Sequence, residues 1–171
     1  LFKIHLSFFE KEGQNWAKFP EAMPEEPNHE FFMRKALMMA ELAYEEGEIP
    51  VGAILVCEGK VITKTHNQTE LLHDATAHAE MLAITSGFAH FNSKYLKDCT
   101  LYVTLEPCPM CAAALYWAQI KTVVWGAADE KRGAGNFSPS LYHPKTDLIP
   151  GILAKESEIL MKQFFKERRD V

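Results

Sequence analysis

Between residues 28 and 46 the apolar positions Phe32, Ala36, Ala40 and Ala43 recur at helical spacing, with Asn28 suited to the N-cap and Gly47 to the stop. The period then changes. Residues 51–57 form an almost unbroken β-prone apolar run, and Glu58-Gly59-Lys60 can turn it back into residues 61–66, which predicts a hairpin. Thr76 stands where a cap is needed for a helix through His78, Met81, Leu82 and Ile84, ending near Ser86 ahead of Gly87. Residues 100–105 alternate as a strand, Pro109 suits the first turn of a helix running to Ala118, and residues 121–125 predict a fourth strand. The tail over 153–169 places Ile159, Leu160 and Phe164 on one face and ends in basic residues, as a terminal helix does.

The order helix, strand, strand, helix, strand, helix, strand, helix predicts an α/β protein: a three-layer α/β/α domain over 29–171 around a mixed central sheet. Residues 1–28 mix aromatic and charged residues and close on Pro20, Pro24 and Pro27, which disfavour continuous helix. They are read as an N-terminal arm with no function assigned.

Composition narrows the picture. With 171 residues, 47% hydrophobic and 24% charged, the chain has the make-up of one compact domain. Its 18 basic and 23 acidic residues give a net charge of −5, so no uniform basic field is available to hold a long polyanion. Any nucleic-acid contact has to be local. No apolar run reaches the roughly 20 residues that span a bilayer, and the expected compartment is the cytoplasm, with no membrane partner.

Cysteines stand at 57, 99, 108 and 111. The Cys108-x-x-Cys111 spacing fits metal or redox chemistry better than a disulfide framework. Two cysteines three apart at a helix start fall on one side and can reach a single tetrahedral ion, with His78 as third ligand and water as the fourth. Glu80 lies two residues from His78, about 200° around an ideal helix, so the two side chains converge only beyond the helix tip. An open three-ligand zinc lowers the pKa of water toward about 7, and Glu80 is placed to shuttle the protons of a hydrolysis.

Blander readings compete for each element. A structural zinc would need a fourth protein ligand, for which Cys57, Cys99, His73 and His143 are candidates, none at ligand spacing; Cys57 and Cys99 read better as small strand residues. A redox pair would leave His78-Ala79-Glu80 unexplained. The His-x-Glu at one helix start and the proline-flanked cysteines at the next have to coincide by accident if neither holds a catalytic metal.

At these residues the sequence resembles the cytidine deaminase superfamily and, within it, the bacterial tRNA adenosine deaminases, a chemistry for which the His-x-Glu and Pro-Cys-x-x-Cys signature is well known. The similarity runs over about 29–169 and includes Gly47-Glu-Ile-Pro-Val-Gly52, Asn67, His73-Asp-Ala-Thr-Ala-His-Ala-Glu80, Thr104-Leu-Glu-Pro-Cys-Pro-Met-Cys-Ala112, Gly126-Ala-Ala-Asp129 and Phe164-Phe-Lys-Glu-Arg-Arg169. Segment 133–145 departs from the family's pattern, and residues 1–28 have no counterpart in it.

The resemblance implies one Zn²⁺ per chain on His78, Cys108 and Cys111, with Glu80 catalytic. It also implies that Asn67 bonds the target base or its ribose, that the Ala79 N–H meets the base edge, and that the Pro107 carbonyl accepts from the leaving amine. Ile49, Pro50 and Val51 would wall the base, and Asp129 would contact the neighbouring nucleotide. Phe164, Phe165, Lys166, Arg168 and Arg169 would bind a tRNA anticodon stem-loop, in a homodimer whose contact includes the helix over 112–120. Taken singly, Asn67 is otherwise a loop residue, Asp129 a solvated turn, Phe164 a core residue, and Arg168 and Arg169 a charged helix end. The implied activity is deamination of wobble adenosine to inosine; deamination of a free base or nucleoside, and a silent zinc-binding partner subunit, are the alternatives.

Overall fold

The computed structural model describes residues 28–169. The N-terminal arm, apart from Asn28, and the last two residues lie outside that range.

Helix α1 (His29–Glu45) starts as its sequence predicts, with the Asn28 side chain accepting from the Phe31 N–H. Strands β1 (Gly52–Cys57) and β2 (Lys60–His66) form the hairpin. After α2 (Ala79–Phe91) come β3 (Cys99–Leu105), α3 (Pro109–Ala118), β4 (Thr122–Ala127), the short β5 (Asp147–Ile149) and α4 (Ala154–Arg169). The sheet order is β2-β1-β3-β4-β5, antiparallel at β1/β2 and β1/β3 and parallel from β3 to β5. This is the mixed central sheet that the element order predicts.

Alternation along buried strands creates the three layers. Ala53, Leu55 and Cys57 of β1, Leu101 and Val103 of β3, and Val123 and Trp125 of β4 pack in one cluster with Ala79, Ala83, Ala112 and Leu115 of α2 and α3. Ile54, Val56, Tyr102 and Val124 face the opposite way, onto Phe32, Met33 and Ala36 of α1. The chain comes closest at Gly52, where a Cβ would lie 2.1 Å from the Ala36 carbonyl oxygen. Only glycine lets α1 sit directly on that strand.

Three expectations change. Helix α2 begins at the His78 N-cap, because the Thr76 hydroxyl and N–H are both taken by the Asp74 carboxylate. It also runs through Gly87 to Phe91. Gly87 is a packing residue, not a stop, since a Cβ there would meet the Leu55 side chain at 2.5 Å. Cys57 and Cys99 are not separate strand residues: they stand opposite in the β1/β3 register, their Cα atoms 4.3 Å apart, and form a disulfide. Strand β5 was not legible, having only three residues, mostly exposed, at the sheet edge.

Candidate active site

Two helix N-termini build the floor of the site. His78 is the N-cap of α2 and Cys108 the N-cap of α3, with Pro109 at the first helical position and Cys111 one turn in. The His78 imidazole makes no capping bond to its own helix, so it is free to face the sulfurs of Cys108 and Cys111 across the gap.

His78 Nδ1 lies 3.5 Å from Cys111 Sγ and 3.7 Å from Cys108 Sγ, and the two sulfurs are 3.7 Å apart. A tetrahedral ion with bonds of about 2.3 Å to sulfur and about 2.0 Å to nitrogen gives edges of about 3.8 Å between sulfurs and about 3.5 Å between sulfur and nitrogen. The three atoms therefore already span one face of a zinc tetrahedron, and thiolate plus imidazole is a donor set that suits zinc. No other His, Cys, Asp or Glu joins the cluster among the described residues. Cys57 and Cys99 are bound to each other, so the cluster has the open fourth position of a catalytic site rather than the closed shell of a structural one.

The three side chains share protons across the cluster. A hydrogen bond shared with Cys111, reinforced by His78, holds the Cys108 thiol down to about 4, and the same contact pushes Cys111 upward. One proton shared between two sulfurs accounts for both directions. Hydrogen bonding to Cys108 raises His78, outweighing the effect of burial. Glu80 is 4% exposed, and burial lifts its carboxyl above the usual carboxylate range against the pull of its own backbone N–H and of His78. A raised carboxyl beside a His/Cys/Cys cluster able to hold a metal is suited to taking up and giving back a proton.

The rim is made of loops, each fastened to the floor. The Thr65 hydroxyl donates to the Ala79 carbonyl at 2.8 Å, and the Gln68 N–H to the Ala77 carbonyl at 3.0 Å, which hold the segment after β2 against the start of α2. Within that segment Asn67 is buried, with its N–H on the Val51 carbonyl at 2.9 Å. Pro50 and Val51 are buried and Ile49 is exposed. Ala79 is buried in the first turn of α2, where its N–H has no partner within the helix. The Pro107 carbonyl accepts from the Ala134 N–H at 2.9 Å, a bond that leaves the second carbonyl lone pair for another donor. The Asp129 carboxylate is engaged in its own turn, accepting from the N–H groups of Lys131 and Arg132.

The tail requires a correction. Phe164 is 5% exposed, packed edge-on against Tyr44 of α1, with the Arg168 guanidinium over its ring. It belongs to the apolar stripe that seats α4, so its ring faces are taken by protein and cannot stack on a base. Arg168 donates to the Gly47 carbonyl and so is tied to the α1 turn. Phe165, Lys166 and Arg169 remain exposed on the outer side.

Two glutamates that hold the rim loops escaped the sequence reading. Glu106 accepts from the N–H of Asp129 at 3.0 Å and of Gly135 at 2.9 Å, and a Cβ on Gly133 would lie 2.4 Å from its carboxyl carbon. Glu48 is buried under the turn that follows Asn67. The available signal was their place inside the Gly47–Gly52 and Thr104–Ala112 motifs, where a charged residue beside apolar neighbours asks for a buried partner.

Comparison with known proteins bears on the same residues. Residues 26–127 match the family described as "Cytidine and deoxycytidylate deaminase zinc-binding region". A tRNA-specific adenosine deaminase of Aquifex aeolicus is 46% identical over 148 residues, covering 82% of this chain and 96% of its own. The chain belongs to the tRNA-specific adenosine deaminase family. Among solved structures, one from work on A-to-I editing by tRNA:A34 deaminases superposes with TM-score 0.71 at 40% identity, over 75% of this chain and 97% of its own. A guanine deaminase from Bacillus subtilis reaches TM-score 0.57 at 40% identity, over 59% of this chain and 65% of its own. The family's zinc-binding region and the His78, Cys108 and Cys111 cluster fit one Zn²⁺ per chain. No helix among the described residues is long and apolar enough to cross a membrane.

Proposed function

We propose that this protein hydrolytically deaminates adenosine to inosine at the wobble position of a tRNA anticodon, consuming water and releasing ammonia. The observation that carries the reading is the three-atom zinc face at the tips of α2 and α3 with the buried Glu80 carboxyl beside it. Its support on the substrate side is the printed activity of relatives that align over nearly their whole length.

His78, Cys108 and Cys111 would hold the zinc, which when bound acts as a Lewis acid and makes water nucleophilic near neutral pH. Glu80 takes a proton from the attacking water and gives it to the ring nitrogen beside the attacked carbon. The same carboxyl then takes the remaining proton of the added hydroxyl, as its oxygen becomes the carbonyl, and delivers it to the amine that departs as ammonia. Burial keeps Glu80 out of bulk water, so each proton it gains is passed to substrate. The Ala79 N–H and the Pro107 carbonyl offer a donor to the base edge and an acceptor to the leaving amine. Ile49, Pro50 and Val51 would wall the base, with Asn67 and Asp129 at the rim. Phe165, Lys166 and Arg169 form the exposed side of the tail toward the anticodon stem-loop. A homodimer through α3 is part of this reading, because Trp117 on that helix is 76% exposed with Tyr116 beside it; light scattering of the zinc-loaded protein checks it.

The test incubates zinc-loaded protein with bulk tRNA and sequences for A-to-inosine changes, with free guanine, cytosine and adenosine assayed alongside. Inosine at the first anticodon position is expected. Glu80→Gln is expected to keep zinc and lose activity by about 10²- to 10⁴-fold, the range of a general acid–base. Efficient turnover of a free base with untouched tRNA would establish the alternative suggested by the likeness to guanine deaminase.

A further inference from the structure

Glu48 reaches the interior because of how α1 ends. Gly47 adopts φ +78°, and the chain turns back so that the Glu48 N–H meets the Ala43 carbonyl at 2.9 Å. The side chain, 1% exposed, then lies beneath the segment after β2. Oε1 accepts from the N–H groups of Glu70 at 2.9 Å and Leu71 at 2.8 Å. Oε2 accepts from the Asn67 side-chain amide at 3.1 Å and the Thr69 hydroxyl at 3.2 Å. Burial works against the charge, but these four donors outweigh it and hold the carboxyl below its ordinary range.

An ionised carboxylate only accepts, which settles how the Asn67 amide lies. Its nitrogen faces Glu48, and the second Nδ2 proton goes to Thr69 Oγ1 at 3.0 Å. The single Thr69 hydroxyl proton points to Glu48, so that oxygen is free to accept. Both donors of Asn67 are consumed, and Oδ1 has no partner among the described residues. Toward a ligand, Asn67 is an acceptor.

Resting on the reading of an adenosine within RNA as substrate, we infer that Glu48 is a specificity-determining positioning residue: it fixes Asn67 as a hydrogen-bond acceptor for the ribose 2′-hydroxyl of the target nucleotide. The ring nitrogens open to contact are acceptors and cannot pair with Oδ1. Within an RNA chain the 3′ and 5′ oxygens are esterified, so the donors are the exocyclic amine and the 2′-hydroxyl. The amine departs from the reacting carbon over the zinc floor, which leaves the hydroxyl for the rim.

Glu48→Gln probes this without dismantling the turn. Backbone N–H groups of Glu70 and Leu71 cannot reverse, whereas side chains can. Glutamine therefore gives its oxygen to the backbone and its amide nitrogen to Asn67 and Thr69, and Asn67 inverts to present donors outward.

The experiment uses zinc-loaded protein and an RNA stem-loop with adenosine at the first anticodon position, beside the same RNA with 2′-deoxyadenosine at that residue alone. For the parent, the deoxy substitution is expected to lower kcat/KM about tenfold, the size of one hydrogen bond. In Asn67→Ala, which removes the acceptor, the ribose preference should collapse toward one, with the loss falling on the ribose substrate. A ribose preference retained in Asn67→Ala, or equal loss on both RNAs, overturns the inference.

Proton exchange of the Asn67 side-chain amide, read by NMR without substrate, is expected to be slow in the parent and fast in Glu48→Gln. Equal exchange in the two proteins also overturns it. Absence of turnover of either stem-loop by the parent overturns the tRNA reading instead, while the amide exchange still decides the orientation of Asn67.

Discussion

The floor and the rim of this site are built by different physics. The floor uses helix ends: His78 and Cys108 are N-caps and Cys111 lies one turn further, so local geometry pairs the two sulfurs and the packing of two helix tips on the sheet brings the imidazole to within 3.7 Å of both. The rim is made of irregular loops, and a loop near the interior must find partners for its backbone groups. Here a carboxylate supplies them on each side. Glu48 holds the turn after Asn67, and Glu106 holds the turn that carries Asp129. Losing a floor residue should therefore abolish chemistry, while disturbing a rim carboxylate should shift substrate handling and spare the metal.

The sharpest break of that comparison is Cys111→Ala. Cys111 is fully buried behind the cluster, and its loss leaves two ligands, too few for a stable zinc site. Metal analysis is expected to show zinc lost, with activity gone and the melting temperature lowered. Retention of a full zinc equivalent would remove Cys111 from the ligand set.

Gly133→Ala tests the rim alone. The added methyl would meet the Glu106 carboxyl carbon at 2.4 Å and the Asp129 carbonyl at 2.6 Å, so the carboxylate has to leave the N–H groups of Asp129 and Gly135. Gly133 has φ −63°, so alanine adds no backbone strain and the effect is one of space. A fall in kcat/KM on the stem-loop of about tenfold to a hundredfold is expected, the order that a misplacement near 1 Å costs, with zinc content unchanged. Parental kinetics would show that Glu106 does not hold the rim in place.

The same contrast explains what could be read from the sequence. His78, Glu80, Cys108 and Cys111 were legible because ligand spacing is a local property of helix starts. The helices and the first four strands were legible because their buried faces impose periods of 3.6 and 2. Glu48 and Glu106 were not, since a carboxylate's role depends on which N–H groups the fold brings to it from more than twenty residues away. The Gly87 position failed for a related reason: a glycine inside a helix looks like a stop until the Leu55 side chain against it is known. The pairing of Cys57 with Cys99 needed the β1/β3 register, which spacing does not encode. Phe164 and Phe165 are neighbours of one type, yet the helical turn buries the first against Tyr44 and leaves the second 43% exposed.

The smallest expected effect lies farthest from the metal, in the tail. Lys166 and Arg169 are exposed on α4, whereas Arg168 covers the Phe164 ring and donates to the Gly47 carbonyl, one residue before Glu48. Three cations in one short segment thus divide into two that can meet phosphates and one that braces the rim. If Lys166 and Arg169 neutralise phosphates of the stem-loop, replacing both by alanine weakens binding a few-fold at low salt. It also flattens the dependence of log K on log salt by roughly 0.7 per lost contact on single-stranded RNA. The deficit then shrinks as salt rises, because the parent loses the same contacts to screening. Arg168→Ala behaves otherwise: its loss frees the Gly47 turn, so it lowers turnover by a factor that salt does not change. Titrating binding of the anticodon stem-loop by both variants across ionic strength separates the two roles, and equal salt slopes in the parent and the Lys166/Arg169 variant would exclude that face of α4 from the RNA contact.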